Sequence, residues 1–156
     1  MAAGVSRPAG ERLARVYFAL AREGDVPRLL ELLDPDVQIT LKTRGGRVLR
    51  GRDEVAAYLE EVAETRLVFE TTEERYHVVD DDRVIVEGRV RWMDEERVLR
   101  DDPVTWALEF RNGLLLRSTP TRSVGEAQAI LATGVAATPT HVPSRWHGQE
   151  EGASRP

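Results

Sequence analysis

The sequence predicts an α+β fold in which about three N-terminal helices pack on a strongly curved mixed or antiparallel sheet, followed by a short C-terminal helix. Apolar residues recur at helical spacing in the first half of the chain, and long alternating segments fill much of the second half. The last two segments are joined by Asn112-Gly113, which supports a tight hairpin because both positions tolerate positive φ. Helices gathered on one side of an antiparallel sheet bury the single apolar face of each element.

Two helices are predicted near the N-terminus. The first covers residues 10–23, and one apolar stripe is expected to be buried on it. This stripe comprises Leu13, Val16, Tyr17, Leu20 and Ala21. Asp25 is the expected N-cap of a second helix at 26–33. The segment 34–36 ends this helix because Pro35 disfavours helical backbone at the residue before it.

A short hairpin and a third helix follow. Three apolar residues alternate with three polar ones over 37–42, which predicts a half-buried strand. The polar members of this strand are Gln38, Thr40 and Lys42. A glycine-rich turn at 44–47 leads to a short return strand at 48–51. Asp53 is the expected N-cap of a third helix that continues to about residue 64.

Four long strands and a final helix complete the predicted domain, which spans residues 10–133. The strands are expected at 67–79, 83–93, 98–111 and 114–123. An acidic turn at 80–82 connects the first pair, and the apolar segment at 124–132 predicts the C-terminal helix. Residues 1–9 are expected to form a flexible N-terminus. Residues 134–156 are rich in polar residues and proline without apolar periodicity, which predicts a disordered tail.

Composition argues against several classes of partner and site. The net charge of −5 gives no basic field for nucleic acid. The absence of cysteine excludes thiol catalysis, thiolate metal sites and disulfides. No apolar segment approaches the roughly 20 residues that cross a bilayer, and the N-terminus does not resemble a signal peptide. We therefore expect a soluble cytoplasmic protein without a nucleic-acid or membrane partner.

The order of the elements resembles the NTF2-like superfamily, and within it the SnoaL-like (polyketide cyclase-like) domains. The family's second helix and first strand resemble EGDVPRLLELLDPDVQITL, its third helix resembles GRDEVAAYLEEV, and its aromatic hairpin resembles WALEFRNGLLL. The resemblance covers residues 11–132 and implies a cone-shaped fold with the site inside the cone. Members include isomerases, cyclases, epoxide hydrolases and non-catalytic modules, so the resemblance does not select a reaction.

The resemblance also implies a ligand pocket between the sheet and the helices. Strand alternation places the apolar side chains of the last strands on one face, where they would line this pocket. The expected pocket residues are Tyr17, Tyr58, Trp92, Trp106, Leu108 and Phe110. Such a lining suits a small, flat, apolar molecule with few polar anchors. The alternative is that these large apolar side chains simply fill the core.

Three residues are candidates for catalysis: His77, Glu87 and Arg89. A histidine can act as a base near neutral pH. The set at 87, 89 and 91 is the nearest match to the Arg-x-Asp pairs of the limonene-epoxide-hydrolase branch, but the charge order is reversed. Alternation places this set on the outer sheet face, where a solvated ion-pair ladder is the preferred interpretation. No clustered pattern of metal ligands occurs, and we expect neither a metal nor a cofactor.

The sequence therefore favours a stand-alone SnoaL-like domain with an apolar cone pocket for a small organic ligand. One alternative is a cofactor-free acid–base enzyme of the isomerase, cyclase or epoxide-hydrolase type. Related cyclases often place an acid or an aromatic residue near the end of the last strand, and residues 118–123 contain neither. The other alternative is a non-catalytic dimerisation or regulatory module. It remains open because LKTRGGRVLRGRDEV resembles SnoaL-like domains fused to extracytoplasmic-function sigma factors.

We predict a homodimer formed through the outer face of the sheet. Helices on one side would leave this face uncovered, and it is expected to mix Ile85, Ala107 and Leu115 with charged residues, which suits an isologous contact. Light scattering should give about twice the chain mass of 17.5 kDa. An Arg89→Glu change should weaken the dimer. A single-chain mass that does not change on concentration would contradict the prediction.

Overall fold

Four helices and six strands make up the part of the chain described by our computed structural model, residues 8–42, 46–65, 69–94 and 96–133. They are α1 (Ala9–Glu23), α2 (Val26–Glu31), β1 (Leu33–Thr40), β2 (Val48–Arg50), α3 (Gly51–Thr65), β3 (Phe69–Asp80), β4 (Arg83–Met93), β5 (Leu99–Arg111), β6 (Leu114–Thr121) and α4 (Val124–Thr133). The strands form one sheet in the order β2-β1-β6-β5-β4-β3. The pair β1–β6 is parallel and the other pairs are antiparallel. The predicted α+β fold is confirmed.

The main core lies between the first three helices and one side of the sheet, which we call the inner face. Ala14 and Phe18 of α1 and Val55 of α3 are buried there. The sheet contributes its alternating apolar residues, such as Trp106 and Leu108 of β5. The prediction that Trp106 lies on this face is confirmed, since only 9% of the residue is exposed. The hairpin turn predicted at 112–113 is also confirmed, with φ of 54° and 79°.

The opposite side of the sheet, the outer face, is partly covered by α4. Ile85 and Ala107 are buried in a second cluster with Ala127 and Leu131 of this helix. The guanidinium of Arg83 donates a hydrogen bond of 3.0 Å to the Leu131 carbonyl oxygen and so holds the end of α4. The expectation of an uncovered outer face is therefore wrong in this region. The dimer itself stays a prediction.

Leu115 lies on the inner face and not on the outer face as we expected. The register of β5 with β6 shifts between Glu109, which pairs with Arg117, and Phe110, which pairs with Leu115. This bulge places one extra residue in β6 and so reverses the facing of the residues beyond it. Leu115 is fully buried in the main core. Together with the burial of Ile85 and Ala107, this removes the apolar part of the interface that we predicted.

The boundary between α2 and β1 also differs from the prediction. The helix ends at Glu31, and Leu33 already pairs with Leu115 in parallel. The segment 34–36, expected to be a helix end, thus belongs to a strand that has an irregular register between Leu33 and Gln38. Long-range pairing with β6 overrides the local helical pattern because it satisfies backbone groups that a longer helix would leave to other partners.

An ion cluster holds the irregular start of β1. Arg111 donates hydrogen bonds to Asp34, at 2.8 and 3.1 Å, and to Asp36, at 3.1 Å. The hydrogen bond from Arg111 keeps the pKa of the Asp34 carboxyl below its usual range. Arg52 adds a hydrogen bond of 2.8 Å to the Leu33 carbonyl oxygen. These contacts join β1, the end of β5 and the start of α3.

Two helix predictions need correction. The buried stripe of α1 is centred on Ala14 and Phe18, whereas Val16 is 45% exposed and Ala21 is exposed. Gly10 is also buried on this side, where a Cβ atom would lie 2.8 Å from the Asp81 carbonyl oxygen, so α1 approaches the sheet closely at this point. Asp53 is not the N-cap of α3, because that helix begins at Gly51 and places Asp53 in its first turn. A carboxylate in the first turn still interacts favourably with the helix dipole.

The remaining element boundaries agree with the prediction within about two residues. The flexible N-terminus was expected at 1–9, but Ala9 already belongs to α1. Residues 1–7, the predicted start of the third strand at 67 and the predicted disordered tail lie outside the described residues.

Gly88 should be essential for the pairing of β3 with β4. A Cβ atom there would lie 2.1 Å from the Thr72 carbonyl oxygen, which is a severe clash with backbone. We predict that Gly88→Ala destabilises the fold by about 1–3 kcal/mol, because an overpacked site must shift its backbone. Unfolding in urea measures the change.

Gly125→Ala is the matched control for this substitution. Gly125 lies in α4, and its added Cβ would meet only the Ser123 hydroxyl oxygen, at 3.9 Å. Because alanine favours helix more than glycine, this variant should be neutral or more stable by up to about 1 kcal/mol. Equal stabilities for Gly88→Ala and the wild type would contradict the prediction.

Candidate functional site

A cavity of about 180 Å³ lies between the first three helices and the inner face of the sheet. Its walls are mostly apolar and include Leu29 of α2, Leu59 of α3 and Val90 of β4. An apolar cavity of about 150 Å³ in another protein binds benzene. The cavity described here therefore fits a molecule of about one substituted ring.

One wall of the cavity is aromatic. The Phe18 and Trp106 rings lie 4.9 Å apart between centroids at 55°, and the Tyr17 ring meets Phe18 edge-on at 5.1 Å and 65°. Such tilted contacts are favourable for aromatic pairs and restrict ring movement. Phe18 is only 2% exposed, so neighbouring core residues hold its ring in place. The wall offers a rigid apolar surface to a flat ligand.

Six polar side chains interrupt the apolar lining. They are Tyr17, Thr40, Lys42, Tyr58, Thr71 and Ser118. Five of these six carry a hydroxyl group, which donates and accepts hydrogen bonds, and the sixth is a lysine. Among the described residues that line the cavity, none is a carboxylate or a histidine. The polar lining is therefore rich in hydrogen-bond donors.

Tyr17 is held as a neutral phenol. Burial and, to a smaller extent, the neighbouring Tyr58 together raise the pKa of Tyr17 to about 12. Tyr17 is consequently protonated at neutral pH. It can donate a hydrogen bond to a ligand oxygen, and it is a poor base under these conditions.

Lys42 is the charged member of the lining. It follows the end of β1 and is half-buried. Burial lowers the pKa of the Lys42 ammonium, while the charge of Asp102 opposes this effect. Asp102 in turn accepts a hydrogen bond of 3.0 Å from the indole nitrogen of Trp92. The Asp102 charge therefore favours the charged form of Lys42, although Asp102 is not among the residues that line the cavity.

Comparison with known proteins places this fold in a family. The family model of the SnoaL-like domain matches residues 14–118, about two-thirds of the chain. The chain belongs to the SnoaL-like domain family. No curated protein matches the sequence. The family assignment agrees with the resemblance seen in the sequence, and it carries no statement about a particular reaction.

Solved structures show the same fold at low sequence identity. An NTF2-like protein from Burkholderia pseudomallei K96243 is 20% identical, with a TM-score of 0.64, over 80% of this chain and 97% of that one. Bal32a, from a soil-derived mobile gene cassette, is 22% identical with a TM-score of 0.64, over 77% and 93% of the two chains. TerC, co-crystallised with polyporic acid, is 17% identical with a TM-score of 0.62, over 80% and 98%.

The structure separates the pocket residues predicted for this SnoaL-like domain into two groups. Tyr17, Tyr58 and Trp106 line the cavity. Leu108 and Phe110 are buried in the main core, at 0% and 5% exposure, and do not belong to the cavity lining. Trp92 packs against the same core while its indole N–H binds Asp102. Three of the six predicted pocket residues, Leu108, Phe110 and Trp92, therefore belong to the core and not to the cavity lining.

The three candidates for catalysis lie on the outer face, away from the cavity. The imidazole Nε2 of His77 is 2.5 Å from Glu87 Oε2, and Arg89 Nε is 2.9 Å from Asp101 Oδ1. Arg91 and Glu70 continue this row of ion pairs at 3.6 Å. We call it the outer ladder. Its members are partly exposed and satisfy one another, so they offer no group to a molecule in the cavity.

Sequence reasoning missed Lys42 as a cavity residue. Alternation over 37–42 placed it on the polar side of a strand, but β1 ends at Thr40 and the alternation ends with it. Thr40, Leu41 and Lys42 all reach the cavity. One signal was available in the composition, because Lys42 is the single lysine of the sequence. Ser118 was also missed, although strand alternation was sufficient to place it, since it pairs with the inner-face residue Leu108 in the regular part of β6.

Within the ranges that the structure describes, no three histidine, aspartate or glutamate side chains are grouped in a way that could hold a metal ion. In the same part of the chain, no helix is long and apolar enough to cross a bilayer.

Two partly buried phenols, Tyr17 and Tyr76, should make the fold sensitive to alkaline pH. The pKa values of Tyr17 and Tyr76 are raised from 10.0 to about 12, so the folded state favours the protonated form. This stabilisation is complete below pH 10 and is lost as the pH rises through about 12. Urea midpoints measured across this range should fall, and Tyr17→Phe and Tyr76→Phe should each make the decline shallower. The same decline in both variants as in the wild type would contradict this assignment.

Proposed function

We propose that this SnoaL-like domain binds a small organic molecule, about one substituted ring in size, in the inner-face cavity. The observation that carries the proposal is the cavity of about 180 Å³ with its apolar lining and six polar side chains. Known ligand pockets combine apolar walls with a few polar groups that set orientation. Protein interiors are otherwise packed densely, with few voids larger than a water molecule.

The arrangement of the lining supports a flat ligand. The Phe18–Trp106 wall presents an aromatic surface, while the hydroxyl groups of Tyr17, Tyr58 and Ser118 lie on three different elements around the cavity. A ring would stack or pack on the wall, and oxygen substituents would receive hydrogen bonds from the hydroxyl groups. Ala21 is exposed on α1 and also belongs to the lining, which marks the open side of the cavity.

The second candidate function is cofactor-free acid–base catalysis in the same cavity. It is favoured by one observation: Tyr17 and Lys42 both line the cavity and both have perturbed pKa values. Perturbed groups in a cleft are candidates for proton transfer. In this function the neutral Tyr17 phenol would donate a proton or hydrogen bond, and Lys42 would be the second titrating group. The outer ladder would take no part.

Binding is tested with para-ethylbenzamide, a neutral single-ring probe, by ligand-observed NMR and titration calorimetry. The wild type should bind it, and Ala21→Trp should weaken binding by at least about tenfold because the indole obstructs the open side. Ala57→Trp is the matched control, since Ala57 is exposed on α3 and outside the lining. No binding by the wild type, or equal affinities for the wild type and Ala21→Trp, would overturn the proposal.

A further inference from the structure

We infer that the cavity selects an apolar ring that carries an ionised acidic oxygen, such as a carboxylate, and that Lys42 is its charge partner. This inference rests on the proposed function and adds the chemical class of the ligand. Lys42 is the one charged side chain among the described residues that line the cavity. A ligand in this space therefore meets a positive charge and no negative one.

The hydroxyl groups of the lining favour the same ligand. Tyr17 and Tyr58 can donate O–H hydrogen bonds, and Ser118 and two threonines carry further hydroxyl groups. A carboxylate only accepts hydrogen bonds, and both the hydroxyl groups and the Lys42 ammonium group can donate to it. A ligand ammonium group would face the Lys42 charge, and it would find no carboxylate among the described lining residues. The charge of the lining therefore favours an anionic ligand over a cationic one.

Asp102 would compete with a ligand carboxylate for the Lys42 ammonium group. Its carboxylate interacts with Lys42 from outside the lining, and the Trp92 indole holds it in place through a hydrogen bond of 3.0 Å. A ligand carboxylate would share or replace this partner. When the domain is free, the charge of Asp102 partly offsets the cost of burying the Lys42 ammonium group. Removing the Asp102 charge should therefore strengthen the attraction of Lys42 for an acid.

Lys42 should account for most of the discrimination between an acid and its neutral analogue. Burying a carboxylate without a charge partner is strongly unfavourable, whereas a neutral amide needs only hydrogen bonds. The two molecules otherwise have nearly the same shape and would contact the same aromatic wall. Their affinity ratio thus isolates the contribution of the charge from that of the cavity walls.

The inference is tested with three probes of equal ring size. These are para-ethylbenzoate, para-ethylbenzamide and para-ethylbenzylammonium, which differ mainly in charge. For the wild type we expect the benzoate to bind at least about tenfold more tightly than the amide, and the ammonium compound to bind most weakly. Equal affinities for benzoate and amide, with both binding, would overturn this inference and leave the proposed function intact. Binding of none of the three would overturn both.

Variants of Lys42 and Asp102 are expected to change benzoate affinity in opposite directions. Lys42→Met should bring the ratio of benzoate to amide affinity to about one, while Lys42→Arg, which keeps the charge, should retain the preference for benzoate. Asp102→Asn should increase benzoate affinity severalfold at constant amide affinity, because asparagine can still accept the Trp92 hydrogen bond. Survival of the benzoate preference in Lys42→Met would overturn the assignment. Weaker benzoate binding by a folded Asp102→Asn variant would also contradict it.

A spectroscopic readout detects the contact in the unaltered protein. Because Lys42 is the single lysine of the sequence, protein labelled in its lysine side chains gives one side-chain ammonium signal in NMR. Benzoate should shift this signal at concentrations where the amide does not, since only the acid pairs with the ammonium group. Equal shifts from benzoate and amide at matched occupancy would show that the acid has no special contact with Lys42.

Discussion

The parallel pairing of β1 with β6 is the interaction on which the rest of the structure depends. It joins a strand from the first third of the chain to the last strand of the sheet, with Leu33 opposite Leu115 and Ile39 opposite Ser118. Arg111 holds the irregular start of β1 through Asp34 and adds a link to the end of β5. Leu33, Ile39 and Ser118 also line the cavity, so this pairing forms one of its walls.

The chain segments around this pairing also supply part of the polar lining of the cavity, namely Thr40, Lys42 and Ser118. Lys42 lies two residues beyond the end of β1 and lines the cavity together with Thr40 and Leu41. The bulge in the β5–β6 pair decides the facing of β6. Irregularities in otherwise regular strands commonly redirect side chains near functional sites. Here the bulge turns Leu115 into the main core, while the polar groups of the cavity come from helices α1 and α3 as well as from the strands.

The sheet separates two sets of polar residues with different chemistry. On the outer face, acids and arginines alternate in the outer ladder and neutralise one another near solvent, where ion pairs contribute little to stability. On the inner face, hydroxyl groups and one ammonium group line an apolar space in which each charge matters more, because water screens it less. A small number of inner groups can therefore set ligand preference, while the more numerous outer charges serve solvation and strand pairing.

The sequence by itself determined the fold class, the order of the elements, the Asn112-Gly113 hairpin and the inner facing of Trp106. These follow from local periodicity and turn chemistry, which depend on neighbouring residues alone. Tyr17 and Tyr58 were also predicted as cavity residues from the sequence and the family resemblance. Tertiary structure alone decided that α4 covers Ile85, that Leu115 turns inward and that Lys42 reaches the cavity. Each of these depends on register or contact between distant segments, and a shift of one residue reverses the facing of a strand without changing its local pattern.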